Sequence, residues 1–167
     1  MKYAKIRKMD ISNGEGVRVS LFVQGCSFHC KNCFNQETWD FNGGKEFTIE
    51  KIDKIIKLAN KDYIAGLSIL GGEPLHPKNI EEVSMLCEYF KSKYPEKSIW
   101  IWSGFKYEDI LNRENNYNIF YYIDVLVDGQ FEEDKKDLTL KWRGSSNQRV
   151  IDCKKSLAEN KIILKED

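Results

Sequence analysis

The chain carries no surplus of charge: 26 Lys and Arg stand against 26 Asp and Glu in 167 residues. The basic field that gathers nucleic acid or an anionic membrane surface is therefore missing. No apolar run approaches the roughly 18 residues that span a bilayer. Residues 1–10 (MKYAKIRKMD) are positive but contain no apolar stretch, so they do not read as a signal peptide. A reduced, cytoplasmic setting is the expectation. Proline is scarce, with three residues, and there are no repeats, low-complexity tracts or Pro/Gly-rich linkers to divide the chain. One domain over residues 1–167 follows, since domains commonly run to about 100–200 residues. With 41% hydrophobic and 13% aromatic residues, disorder is excluded and a core can form without staples.

What is present is an alternation of short apolar runs and amphipathic ones. Residues 17–24 (VRVSLFVQ) put Val17, Val19, Leu21 and Val23 in one phase and predict a strand. Residues 48–61 place Ile49, Ile52, Ile55, Ile56 and Ala59 on one helical face behind Thr48 as N-cap. Residues 67–70 (LSIL) read as a buried strand stopped by two glycines. Asn79, with Glu82 three positions on, opens a helix whose Ile80, Val83, Leu86, Cys87 and Phe90 share a face. Strands are predicted at 98–102 and 121–127 and a short helix at 107–111. Short strands at 149–152 and 161–165 surround a helical turn.

Strand–helix alternation implies parallel pairing. A closed eight-fold barrel takes about 250 residues, so a partial, open βα barrel or a doubly wound sheet remains. The expected fold is α/β, an incomplete TIM-like barrel of about five to six mainly parallel strands with helices on the outer face. The unusual segments at 26–33, 71–74, 103–104 and 128–129 each follow a strand. They should gather at the carboxyl ends of the sheet, where ligands bind in such folds.

Cys26, Cys30 and Cys33 form C-x3-C-x2-C after Gly25. Their spacing also describes a helix face, but Ser27, His29, Lys31 and Asn32 are polar and no apolar stripe continues in register. Structural zinc with His29 as a fourth ligand is a second reading. Zinc sites usually combine two separated ligand pairs, and this chain has no second C-x2-C. An iron–sulfur cluster is the third: four cysteines normally close a four-iron cluster, and three leave one iron open. Cys87 belongs to a helix core face and Cys153 to the tail, so neither reads as a fourth ligand. Gly71 and Gly72 suit a turn whose backbone must approach a ligand without a Cβ. Ser103 and Asp128, at strand ends, are candidate polar contacts.

The cysteine triplet followed by a strand ending in Gly71-Gly72-Glu73-Pro74 resembles the radical S-adenosylmethionine (SAM) superfamily. The stretch through Gly14, Gly16, Arg18, Phe22, Gly25 and the cysteines to Asn35 is similar to its glycyl-radical activating enzymes. So are Thr38-Trp39, Trp102-Ser103-Gly104, Val127 to Phe131 and the string Trp142-Arg143-Gly144-Ser145-Ser146-Asn147-Gln148. One departure stands out: many members carry an aromatic residue just before the third cysteine, where this chain has Asn32, with Phe34 after it.

The resemblance implies a 4Fe-4S cluster on Cys26, Cys30 and Cys33, with SAM chelating the open iron. Reductive cleavage of SAM would yield methionine and a 5′-deoxyadenosyl radical, with no essential acid–base side chain. It implies cofactor contacts from Asn32, Cys33, Phe34, Gly71, Gly72, Glu73, Ser103 and Asp128. The implied protein substrate is a large anaerobic ribonucleoside-triphosphate reductase, which receives a glycyl radical, and the implied electron donor is a reduced flavodoxin-like protein. An activase of another glycyl-radical enzyme and a small-molecule radical SAM enzyme are the alternatives within this chemistry. A zinc-binding interaction module is the alternative outside it. The segment 143–149 is expected either to close over SAM or to meet the partner protein.

Overall fold

The computed structural model describes residues 1–166. Alternating side chains organise the sheet. In β2 (Val17–Val23), Val19, Leu21 and Val23 face one way, and Arg18, Ser20 and Phe22 the other. β1 (Lys2–Asp10) and the two-residue β3 (Lys45–Glu46) flank it on one side. β4 (Ile64–Gly71), β5 (Ser98–Ser103), β6 (Val125–Asp128) and β7 (Arg149–Asp152) continue on the other. The order is β3-β1-β2-β4-β5-β6-β7. β2, β4, β5 and β6 are parallel, while β1 pairs antiparallel with β2 and β3, and β7 antiparallel with β6.

The expected α/β class and parallel centre are therefore present. The strand count is corrected from five or six to seven, and the sheet is open and mixed, with antiparallel strands at both flanks.

Helices α1 (Ile49–Ala59), α2 (Ile80–Lys93), α3 (Tyr107–Leu111) and α4 (Cys153–Glu159) bury one stripe each. Ile55, Leu86, Phe90 and Ile110 join Leu21, Ile69, Ile101 and Leu126 in one apolar cluster. Each such side chain, fully buried, contributes roughly 1.5–3 kcal/mol, so this face holds the fold together. Among the described residues no helix is long and apolar enough to cross a membrane.

The opposite face follows another rule. Arg18 is fully buried there, and its guanidinium donates to Ser68 Oγ (2.7 Å), Ser98 Oγ (2.9 Å) and the carbonyls of Glu15, Leu67 and Ser98 (2.9, 3.0 and 2.8 Å). Burial pulls its pKa down to about 10. Asp10, at the end of β1, accepts from Ser12 N–H, Asn13 Nδ2 and Ser20 Oγ. Together these groups fix the turn at 11–16 across the face.

Two expected elements differ. The strand predicted at 121–127 begins at Val125, because Ile119–Tyr121 form a 3-10 turn that sends Ile119 and Phe120 into the core. Residues 161–165 make only an isolated bridge, Leu164 to Ile151. β1 and β3 went unforeseen.

Candidate active site

The four parallel strands end on one edge of the sheet, and the segments that follow them surround a cavity of about 450 Å³. Its floor is the loop-covered face, through Phe22, Leu70 and Trp102. Its walls include Cys26, Cys30 and Cys33, the Gly71–Glu73 turn, Ser103 and the residues from Gly129 to Phe131.

The cysteine loop is pinned at its root. Gly25 N–H donates to the Thr38 carbonyl (2.6 Å) and Cys26 N–H to that of Trp39 (3.0 Å), so the excursion closes on itself. A turn from the Cys30 carbonyl to Cys33 N–H (3.1 Å) brings the last two thiols together. Within it, Asn32 has φ 56°, a left-handed conformation that Asn tolerates better than a bulky side chain does. That is a physical reason for Asn where relatives by resemblance carry an aromatic.

All three thiols are free and half-buried. Burial raises the pKa of both Cys26 and Cys30, and Cys33 adds to the effect at Cys30. Metal binding to these groups must therefore displace protons.

These residues fit a multi-iron cluster. The three sulfurs share one cavity. A four-iron cluster puts each thiolate on a different iron. The indole N–H of Trp39, a cavity-wall residue, is buried without a partner, an orphan donor beside the thiols' cavity. His29 stacks on Trp39 (4.5 Å between ring centroids, 16°) and is not part of the cavity wall, which weakens the zinc reading with His29 as a fourth ligand.

The two glycines are required by packing as well as by any ligand. Gly71 has φ +102°, and a Cβ on Gly72 would sit 2.6 Å from the Gly25 carbonyl oxygen. Gly72 N–H donates to the Val23 carbonyl (2.9 Å) and Glu73 N–H to that of Gly25 (2.8 Å). The glycine turn is thus docked against the root of the cysteine loop.

Glu73 is buried, and its carboxylate accepts from Gly104 N–H (2.6 Å), Ser103 Oγ (2.8 Å) and Leu75 N–H (2.8 Å). Burial pushes its pKa up to about 7 against the pull of those donors. Asp128 is also buried, held by Arg149 (Nε 3.0 Å, Nη2 2.6 Å) and Tyr107 N–H (2.8 Å).

Of the residues singled out in the sequence, Cys26, Cys30, Cys33, Phe34, Gly71, Gly72, Glu73 and Ser103 line the cavity. Asn32 and Asp128 do not. The wall formed by Trp142, Gly144 and Gln148 is a self-locked loop. Gln148 Oε1 accepts from Gly144 and Ser145 N–H, its Nε2 donates to the Gly129 carbonyl, and Trp102 Nε1 donates to the Trp142 carbonyl. Phe28 was not foreseen, and Gln130 and Phe131, though part of the stretch from Val127 to Phe131 that carries the resemblance, were not singled out as site residues.

Comparison with known proteins gives the chain a family. Residues 12–151 match the family described as a 4Fe-4S single cluster domain. The chain is 43% identical, over 150 residues, to the anaerobic ribonucleoside-triphosphate reductase-activating protein of Enterobacteria phage T4, covering 90% of this chain and 93% of that one. The proteins of the same name from Salmonella typhimurium LT2 and Escherichia coli K12 are 43% and 41% identical over 152 residues, covering 90% of this chain and 97% of each.

Proposed function

This chain belongs to the family of anaerobic ribonucleoside-triphosphate reductase-activating proteins, and from that membership we propose that it generates a glycyl radical on such a reductase. The observation that carries the reading is the meeting of the three thiols with the Gly71–Glu73 turn around one cavity. Cys26, Cys30 and Cys33 are the residues that would hold three irons of a 4Fe-4S cluster, with the fourth left for SAM. When bound, these groups supply one-electron cleavage of the sulfonium to methionine and a 5′-deoxyadenosyl radical, which takes hydrogen from a glycine of the reductase.

The chain's own part is to bind, orient and exclude water. The Gly71–Gly72 turn offers carbonyl acceptors for the methionyl ammonium. Backbone from Asn32 to Phe34 would receive the adenine, with Cys33 and Phe34 on the cavity wall. Ser103 and Glu73 stiffen this side by bonding each other. Asp128 acts from outside the cavity, tying the end of β6 to α3 through Tyr107 N–H and to β7 through Arg149, and the 142–148 wall shields the radical. The open sheet serves as the incomplete βα barrel, its open side admitting a loop of the reductase. No side chain is assigned as general acid or base. A reduced flavodoxin-like donor in the cytoplasm completes the proposal.

The test is anaerobic reconstitution, followed by mixing the reduced protein with SAM and the reductase and recording the electron paramagnetic resonance spectrum. A brown protein with about four irons and a glycyl radical on the reductase is the expected result. A colourless protein with one zinc overturns the reading. Formation of 5′-deoxyadenosine without a radical on the reductase shifts the assignment to another glycyl-radical enzyme or a small molecule.

A further inference from the structure

The three cysteine sulfurs are not served alike. Cys33 Sγ accepts from Asn35 N–H (3.4 Å), within the cysteine loop. Cys30 is approached from the far side of the cavity. Its Sγ lies 3.8 Å from Gln130 Oε1, a hundred positions away in sequence. We propose that the turn after β6 is the outer hydrogen-bonding shell of Cys30, and that Gln130 is a positioning residue that sets the reduction potential of the bound cluster. The inference rests on the cluster assignment above.

The turn is held for this task on both sides. Asn147 Nδ2 donates to the Gln130 carbonyl (2.7 Å) and Gln148 Nε2 to that of Gly129 (3.0 Å). Gly129 has φ +100°, which lets the chain turn sharply out of β6 and back across the cysteine loop. Gln130 is thereby presented by backbone, and only its side chain is free to adapt.

As long as Cys30 is a thiol, its S–H donates to Gln130 Oε1. An iron-bound Cys30 has no proton to give, so an amide oxygen facing the sulfur becomes repulsive. The terminal amide torsion is soft and two-fold. Half a turn about it presents Nε2–H to the sulfur instead. Hydrogen bonds to cluster sulfurs favour the reduced state by drawing off electron density, and outer partners of this kind tune a metal centre without touching it. Gln130 therefore makes the cluster easier to reduce, and it does so through Cys30.

Potentiometric titration of the reconstituted protein without SAM or reductase, followed by electron paramagnetic resonance, reads this directly. Gln130→Met keeps the length of the side chain and removes the donor, and should shift the midpoint to a more negative value with iron content unchanged. Gln130→Glu, which also adds negative charge, should shift it further, and carries the test should the Met variant take up iron poorly. Gln36→Met, the same exchange at an exposed position outside the cavity, should leave the midpoint where it is. Resonance Raman in deuterated solvent gives a second reading: the Fe–S(Cys) stretch should respond in the wild type and less so in Gln130→Met. An unmoved midpoint in both Gln130 variants overturns the proposal, and a weakened SAM affinity beside it would mark Gln130 as a cofactor contact. A wild-type protein that binds no four-iron cluster defeats the cluster assignment itself, a separate failure.

Discussion

Val19, Leu21 and Val23 of β2 point to the face covered by helices, and Arg18, Ser20 and Phe22 of the same strand point to the face covered by loops. On the first, apolar side chains from four helices close over the sheet, with a few buried hydroxyls such as those of Ser84 and Ser156 among them. On the second, a guanidinium with five hydrogen bonds, an aspartate at the end of β1 and the Trp100 ring lie beside the cavity floor. The difference separates stability from chemistry within single strands. One face tolerates any side chain of the right volume; the other tolerates only the hydrogen-bonding pattern it has.

The sharpest way to break that division is to remove a thiol from each side. Cys30→Ala should abolish 5′-deoxyadenosine formation, because a cluster ligand is lost. Cys87→Ala, in the apolar core, where burial pushes the thiol well above its ordinary pKa, should leave most of the activity at a cost of about 1 kcal/mol. Equal loss of product in both would show that the ligands are misassigned.

A large truncation on the helix side tests the other half. Leu86 is fully buried under the sheet, and Leu86→Ala should cost about 2–5 kcal/mol in urea melts of the apo-protein. The radical yield per folded molecule should stay at the wild-type level. A variant of normal stability, or one that is stable but inactive, contradicts the division.

How much of this could be read from the sequence follows the same line. The helix-covered face was legible because its signal is periodicity: the α1 and α2 stripes and the runs that became β2, β4 and β5 need only local pattern. The cysteine triplet and the glycine turn were legible because each is contiguous. β1 was not, since Lys2, Lys5, Arg7 and Lys8 interrupt its apolar residues. A strand whose outer edge is paired only at Lys2 and Tyr3 carries such charges readily. Tyr121 and Tyr122 made a strand seem to start early, their β propensity overridden by the 3-10 turn that buries Phe120. Gln130 and Gln148 act across the cavity, and Asp128 meets Arg149 only because β7 returns antiparallel in that register. Long-range pairings of this kind leave no mark in a local window.

Glu73 sits on the boundary between the two regimes, with its carboxyl buried and its pKa raised from 4.5 to about 7. The sign is that of an acid that holds its proton longer when folded. The native state then binds more protons than the unfolded one between those values, so the contribution to stability is full below about 4.5 and fades as pH rises through about 7. By linkage the full swing is on the order of 3 kcal/mol. Denaturant melts from pH 4 to 8 should show this decline in the wild type and a flatter profile in Glu73→Gln. Identical slopes would mean that Ser103, Gly104 and Leu75 keep the carboxylate ionised throughout.

The smallest effect discriminates most finely between the two faces, because it compares conservative substitutions on opposite faces of β2. Leu21→Met, toward the helices, should cost less than about 1.5 kcal/mol, since apolar packing accepts a similar volume in another shape. Arg18→Lys, toward the loops, keeps charge and approximate size but replaces five donors in a planar fork with three on a point. At least two of the acceptors now served, among them the Glu15 carbonyl that steadies the turn at 11–16, are then left short. At roughly 1–3 kcal/mol for a buried group without its partner, a cost of about 2 kcal/mol is expected in the same melts. Ser12 and Asn13 belong to the cavity wall, so a loosened turn should also weaken SAM binding while iron content holds. Were Arg18→Lys no costlier than Leu21→Met, the loop-covered face would be packed by the same permissive rule as the helix-covered one, and the distinction between them would fall.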